Sequence, residues 1–307
     1  MFGLGKMGAN MALRLMRGGH EVSGWSRSQG TVDEAIEAGV EPATNDLKAA
    51  VAELDAPRIL WLMVPEGKPV DDLIDRLLPL TEEGDIFIDG GNSRYTDTVR
   101  RAEELSARGY HFVDVGTSGG VWGLAEGYSM MIGGPDKVVE QLTPLFETLA
   151  PAPDLGWGHM GPTGSGHFVK MVHNGIEYGM MQAYAEGFAL MKRKEQFGLD
   201  LHQIAETWRY GSVVRSWLLD LIASGLEEEG QELSDIAPWV SDSGEGRWTV
   251  EEAIDTATNL PVISMALMQR FASRDEGQYA NRLLALMRNQ FGGHAVKSAE
   301  DDGDGEA

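Results

Sequence analysis

Short apolar runs alternate with segments of helical apolar spacing along the first half of the chain. Residues 21–25, 58–64, 85–89, 110–115 and 128–132 read as strands, and 11–16, 70–80, 95–108 and 135–149 as helices. That alternation predicts a mostly parallel, doubly wound α/β sheet. After about Gly164 the period changes. Residues 166–194, 200–210, 216–225, 234–240, 250–259 and 261–288 carry apolar residues at helical spacing, with no convincing strand among them. The expected organisation is an α/β domain over 1–164 and an all-α domain over 165–297. The acidic, glycine-containing end at 298–307 is too polar to order itself and is expected to be disordered.

One helical segment breaks its own pattern. Lys170, His173, Asn174, Glu177 and Tyr178 fall at i, i+3, i+4, i+7 and i+8, so they share one face. Such a stripe is ordinarily the apolar one turned to a core, and the positions between are largely Met, Val and Ile. An amine, an imidazole, an amide, a carboxylate and a phenol gathered there point to a site, against the alternative of a solvated face with incidental charges. Lys170 and Glu177 stand about two turns apart, roughly 10 Å along the axis, a spacing able to flank a short extended substrate. A lysine acts as a base only when neutral, which requires the depressed pKa that burial or neighbouring positive charge produces. A structural ion pair for either residue is the competing assignment.

Gly3-Leu4-Gly5-Lys6-Met7-Gly8 reads G-x-G-x-x-G, runs into the amphipathic segment at 11–16, closes at Gly18-Gly19 and is followed by the strand at 21–25. A dinucleotide fingerprint needs this order of strand, turn, helix and strand. Its glycines allow a tight turn, close approach of a pyrophosphate and close helix packing, with the anion on the helix N-terminus. The expected fold is therefore a Rossmann-type doubly wound sheet followed by an all-α C-terminal domain. Its ligand is expected in the crevice between them, outside the carboxyl ends of the strands. Only Met1 and Phe2 precede the first glycine, so a stunted first strand is expected, to the detriment of cofactor binding.

Two further loops follow strands: Asp89-Gly90-Gly91-Asn92-Ser93 and Gly116-Thr117-Ser118-Gly119-Gly120. Their glycines let backbone N–H groups approach a ligand, and Asn92 and Ser118 offer hydrogen bonds; ordinary turns use the same residues. No acid stands at Ser26-Arg27-Ser28, where one would hold the adenosine ribose hydroxyls and exclude a 2′-phosphate. Arg27 is placed to pair with that phosphate, which favours NADP, although stacking of Arg27 on adenine is compatible with NAD as well.

Composition narrows the class. A formal charge of −23, from 48 acidic and 25 basic residues, leaves no basic stripe to replace counterions and so argues against nucleic acid and anionic membranes. No apolar run approaches the ~18 residues of a membrane span and no charged leader precedes a hydrophobic stretch, so a soluble, cytoplasmic protein is expected. The absence of cysteine removes disulfides, thiolate metal sites and Cys nucleophiles, and no metal is expected. The acidic excess is dispersed along the chain, as in halophiles. A salt-adapted protein that loses structure at low salt is expected, against an ordinary acidic one.

Several motifs together resemble 6-phosphogluconate dehydrogenase, in particular the short-chain form of that decarboxylating enzyme within the β-hydroxyacid dehydrogenase superfamily. They are the fingerprint, Met63-Val64-Pro65-Glu66-Gly67, the loops at 89–93 and 118–120, the run at 170–179, Gly244-Glu245-Gly246-Arg247-Trp248-Thr249, and Arg288-Asn289-Gln290-Phe291-Gly292-Gly293-His294. They span nearly the whole chain. The run at 170–179 is the specific one, whereas the glycine motifs alone fit any superfamily member.

The resemblance implies oxidation of 6-phospho-D-gluconate at its 3-hydroxyl with reduction of NADP or NAD, then loss of carbon dioxide from the β-keto acid to give ribulose 5-phosphate. It implies Lys170 as general base and Glu177 as the general acid that protonates the enediol. Substrate contacts carry over to Asn92, Ser118, Gly119, Gly120, His173, Asn174, Tyr178, Arg270, Arg288 and His294. Cofactor contacts carry over to Gly3, Leu4, Gly5, Lys6, Met7, Gly8, Ser26, Arg27, Ser28, Val64, Pro65, Glu66 and Asn92. A homodimer or homotetramer is implied too, because in the long enzymes the equivalent tail reaches the neighbouring subunit's site.

One motif departs from the family. The long enzymes carry Lys-Gly-Thr-Gly, whose lysine and threonine hold the substrate phosphate, where this chain has Ser243-Gly244-Glu245-Gly246. A carboxylate beside a phosphate is repulsive unless something pairs with it, which leaves Arg270, Arg288 and Tyr178 as phosphate ligands. A non-decarboxylating relative of the hydroxyisobutyrate or tartronate-semialdehyde type is the nearer rival, and a non-catalytic nucleotide-binding sensor the more distant.

Overall fold

The structure, a computed structural model, describes residues 1–292 and Val296. In chain order the elements are α1 (Lys6–Arg17), β1 (Gly24–Trp25), α2 (Gln29–Glu37), β2 (Ala43–Thr44), α3 (Leu47–Ala52), β3 (Ile59–Leu62) and α4 (Lys68–Leu77). There follow β4 (Ile86–Asp89), α5 (Tyr95–Ser106), β5 (His111–Ser118), α6 (Gly123–Glu126), β6 (Ser129–Gly133), α7 (Asp136–Leu149) and β7 (Trp157–Gly161). The helices α8 (Ser165–Arg193), α9 (Leu201–Arg209), α10 (Trp217–Glu229), α11 (Glu245–Asp255), α12 (Pro261–Ala272) and α13 (Tyr279–Gly292) complete the chain. The architecture is a Rossmann-like α/β domain followed by a helical C-terminal domain. Two compact units form: Met1–Met181 with Ser243–Ile263, and Gln182–Asp242 with the residues from Ser264 onward.

In the first unit, β3, β4 and β5 are parallel, β6 runs antiparallel to β5, and β7 is parallel to β6 with a bulge at Ile132/Gly133. β1 and β2 form a parallel pair. Phe2 joins the two groups, bridging to Trp25 on one side and Leu62 on the other, with Phe2 N donating to Trp61 O at 2.7 Å and Gly3 N to Trp25 O at 2.8 Å. The stub before the fingerprint thus lies inside the sheet, between β1 and β3.

Alternate strand residues divide between two cores, as a two-residue side-chain period requires. Leu60, Leu62, Phe87 and Phe112 pack with Val70, Leu73, Leu77 and Leu105 of α4 and α5. Trp61, Ile86, Ile88, Val113 and Val115 pack on the opposite face with Met11 and Leu15 of α1 and Val139, Leu142 and Phe146 of α7. Each fully buried Leu, Ile or Phe of this kind contributes about 1.5–3 kcal/mol relative to an exposed one. In the second unit, Leu201 and Ala205 of α9 meet Leu219, Ala223 and Leu226 of α10, with Tyr184, Phe188 and Met191 of α8 against them.

Several elements differ from the periodicity reading. β6 makes the sheet mixed, because the connection after β5 is a short segment containing α6 and an antiparallel return needs no crossover helix. β7 is a Trp-Gly-His-Met-Gly edge strand with no buried residue, so it carries no apolar run. α2 and α3 are marked by their caps instead: Ser28 Oγ accepts from Thr31 N at 3.3 Å, and Asp46 Oδ1 from Lys48 N at 2.9 Å. Residues 234–240 are not helical, because Pro238 removes a backbone donor and disfavours helical geometry at Ala237. The helix expected at 261–288 is two, α12 and α13, parted by the polar run at 273–278, in which Asp275 Oδ1 accepts from Gln278 N at 3.0 Å. α11 starts earlier than expected, directly after Gly244, whose φ of 98° turns the chain. No described helix is long and apolar enough to cross a membrane.

Candidate active site

The polar stripe is carried by the first part of α8, which the sheet anchors at backbone level. Asp114 of β5 accepts from Gly164 N at 2.7 Å with Oδ1 and from His167 N at 2.8 Å with Oδ2, satisfying donors that the helix start leaves open. Burial pushes the Asp114 carboxyl above the usual carboxylate range, against the opposing effect of His167 and these two donors. A Cβ on Gly166 would lie 2.5 Å from Met131 O, and one on Gly116 would lie 2.3 Å from Lys170 Cβ. The helix therefore rests directly on strand backbone, and Lys170 is set beside the carboxyl end of β5, just before Ser118, Gly119 and Gly120.

Lys170 is 5% exposed. Its Nζ donates to Asn174 Oδ1 at 2.6 Å and stands 3.4 Å from His173 Nδ1, while Asn174 Nδ2 donates to Glu245 Oε1 at 3.1 Å. Burial lowers the Lys170 amine below the ordinary lysine value, and the Glu177 and Glu245 carboxylates act the other way. Glu177 is half-buried on the same face. Tyr178 is buried, its hydroxyl accepting from Ser243 N at 3.0 Å and lying 3.2 Å from Ser243 Oγ. α11 closes on this face. Thr249 Oγ1 lies 2.9 Å from Met171 O, and Cβ atoms on Gly175 and Gly246 would meet Thr249 and the Tyr178 ring at 2.8 and 2.4 Å.

The fingerprint residues fit a dinucleotide. Gly3 has φ +112°, and a Cβ there would lie 2.3 Å from Met63 O; a Cβ on Gly8 would lie 1.9 Å from Gly3 O. Gly5 by contrast faces open space, and α1 starts without a side-chain cap and without an acid in its first turn. Its unpaired N–H groups are thus free of competing protein anions, the condition a pyrophosphate requires.

The loops after β3 and β4 share one support. Asp89 accepts from Gly91 N at 3.2 Å and Ser93 Oγ at 2.7 Å, and Arg101 of α5 donates to Gly67 O at 2.9 Å while its Nη1 lies 3.5 Å from Asp89. Asn92, Pro65 and Glu66 are exposed on these loops and Val64 is half-buried. After β1, Ser26 is half-buried while Arg27 and Ser28 are exposed.

The stripe and the glycine loops thus meet in the first unit. Arg270, which donates to Ser241 O at 2.8 Å, and Arg288, exposed on α13, belong to the second unit. His294 lies outside the described residues. Three supports escaped the sequence reading. Glu245, set there beside a phosphate, pairs with Asn174; no local spacing links residues so far apart. Asp114 and Arg101 do leave a trace, as charges at apolar positions of a buried strand and of an amphipathic helix.

Over residues 1–172 the chain matches the family described as the NAD binding domain of 6-phosphogluconate dehydrogenase, and over 166–302 the 6-phosphogluconate dehydrogenase C-terminal domain. A Haloferax volcanii protein named 6-phosphogluconate dehydrogenase, NAD(+)-dependent, decarboxylating, is 44% identical over 301 residues, covering 98% of this chain and 99% of that protein. The Bacillus subtilis putative 6-phosphogluconate dehydrogenase YqeC is 42% identical over 297 residues, covering 97% and 98%. Among solved structures, Plasmodium falciparum 6-phosphogluconate dehydrogenase, determined in apo form, with NADP+ and with 6-phosphogluconate, superposes with a TM-score of 0.82 at 27% identity. The match covers 98% of this chain and 66% of that longer one. With both halves of the family matched across a Rossmann-like domain and its helical successor, the chain belongs to the 6-phosphogluconate dehydrogenase family of NAD(P)-dependent oxidoreductases.

Proposed function

We propose that the protein oxidises and decarboxylates 6-phospho-D-gluconate to ribulose 5-phosphate, with Lys170 as general base and Glu177 as general acid. The carrying observation is a buried lysine whose amine burial shifts toward neutrality, lined up with Asn174, His173 and Glu177 on one helix face. The α1 N-terminus would hold the pyrophosphate of the dinucleotide and the loops after β3 and β4 its nicotinamide half, which would supply the acceptor for the hydride leaving C3. Neutral Lys170 takes the proton of the 3-hydroxyl, which makes that departure possible. The resulting ammonium protonates the C3 oxygen as the C1 carboxylate leaves as carbon dioxide, and Glu177 then delivers a proton to C2 of the enediol. Within the first unit, Tyr178 and Ser243 form a hydroxyl pair suited to the phosphate. Glu245 Oε1 accepts from the Asn174 amide, a neutral donor that holds the carboxylate in place without offsetting its charge.

Kinetics with 6-phosphogluconate, gluconate and 3-hydroxyisobutyrate, following reduced cofactor and carbon dioxide together, test this reading. Both products are expected from 6-phosphogluconate. Reduced cofactor without carbon dioxide, made best from 3-hydroxyisobutyrate, would overturn it in favour of a non-decarboxylating enzyme.

NADP+ is the favoured cofactor, because Arg27 is exposed after β1 and no carboxylate stands at residues 26–28. Arg27→Ala is expected to weaken use of NADP+ by about 1.5–3 kcal/mol, the range of a charged hydrogen bond, and to leave NAD+ nearly unchanged. Equal losses in kcat/KM for the two cofactors would assign Arg27 to adenine stacking. A homodimer or larger homo-oligomer is proposed because α12 leaves Met265 and Met268 exposed and α13 leaves Leu284, Leu286 and Met287 exposed, apolar side chains that a partner surface would cover.

A further inference from the structure

We infer that Glu245 is a positioning residue: by holding the Asn174 amide it decides which way Lys170 presents its amine to the substrate, an inference that rests on Lys170 being the base. A carboxylate only accepts. Glu245 Oε1, 3.1 Å from Asn174 Nδ2, therefore turns the amide so that Oδ1 faces the other way and receives Lys170 Nζ at 2.6 Å. One N–H of neutral Lys170 is thereby committed to Asn174, and the lone pair points elsewhere. With the amide reversed, Asn174 Nδ2 would donate to that lone pair and occupy the electrons a base needs.

Glu245 is built into its place. It opens α11, is 3% exposed, and its backbone O lies 2.7 Å from Thr249 Oγ1, which also reaches Met171 O of α8. Its Oε2 is buried and has no hydrogen-bond partner among the described residues. A buried unpaired oxygen is costly, and a residue serving packing alone would avoid it. Among the described residues, the ionisable groups facing Lys170 are His173 and Glu177 from its own helix and Glu245 from α11; the strand beneath, β5, presents Gly116. The Glu245 carboxylate favours the ammonium form of Lys170 against burial, so removing its charge lowers the proton affinity of the base and loosens its aim at once.

The test uses the full chain carrying Glu245→Gln or Glu245→Thr. The acid limb of the kcat/KM profile reports the neutral base, and it is expected to move to lower pH by on the order of one unit. At the same time kcat should fall roughly 10- to 100-fold through misaimed lysine. Carbon-13 NMR of Cε-labelled lysine, with the Lys170 signal identified by its loss in Lys170→Met, reads the same shift without turnover. A Lys170 signal titrating at the wild-type pH in both variants overturns the inference, as does wild-type kcat with an unmoved acid limb. Normal turnover in Lys170→Met would instead sink the base assignment, while the NMR shift would still report the Glu245 contact, so the two failures are distinguishable.

Discussion

Lys170→Met is expected to lower kcat/KM for 6-phosphogluconate by about 100- to 10,000-fold, the usual contribution of a positioned base. Methionine keeps the apolar stem that packs on Gly116, so the fold and cofactor binding should survive and the loss be chemical. Glu177→Gln should behave differently. It removes the proton donor for the enediol but not the base, so pre-steady-state mixing should show rapid cofactor reduction followed by slow turnover, whereas Lys170→Met should show no rapid phase. The pH profile carries the same assignment. A base works when neutral, so kcat/KM should rise with pH through the pKa of Lys170, and burial places that rise below the 10.5 of an ordinary lysine. Near-normal turnover of Lys170→Met would remove this residue from the chemistry.

Arg101→Leu should be strongly destabilising. Arg101 and Asp89 are 2% and 1% exposed, and Arg101 also holds Asp71 through Nε at 2.8 Å. Removing one member of a buried ion pair leaves the other uncompensated, which costs about 3–5 kcal/mol. The loss lands on functional loops, because Asp89 organises the turn that presents Asn92 and Arg101 the turn at Gly67. Arg100 gives the contrast. It pairs with the same Asp71 at 3.0 Å but is 45% exposed, so Arg100→Ala should cost no more than about 1 kcal/mol. Urea unfolding of the two variants measures the difference, and equal losses would show that burial of the Arg101 network does not govern its contribution.

Both expectations concern residues whose importance was unequally visible in the sequence. Lys170 stood out because a polar group on an apolar stripe violates a local period, and the glycine fingerprint stood out because it is contiguous. Phe87 and Ile88, neighbours on one strand, fall on opposite sheet faces, since side-chain direction along a strand follows from backbone geometry alone. β7 and the break at 273–278 were hidden for a related reason: an edge strand without buried residues and a polar interruption leave the apolar spacing nearly unchanged.

The fold class, the order of most elements, the family resemblance and the face on which Lys170, Asn174 and Glu177 lie were legible in the residues alone, because each follows from short-range periodicity or contiguous motifs. Folding alone brings Asn174 to Glu245 and Arg101 to Asp89, and rests α8 on Gly116 and the backbone of β6. Such contacts join segments far apart in the chain, so no local period encodes them. The proton affinity of Lys170 belongs to the same class, since it is set by the depth of burial and by the carboxylates that packing brings within reach.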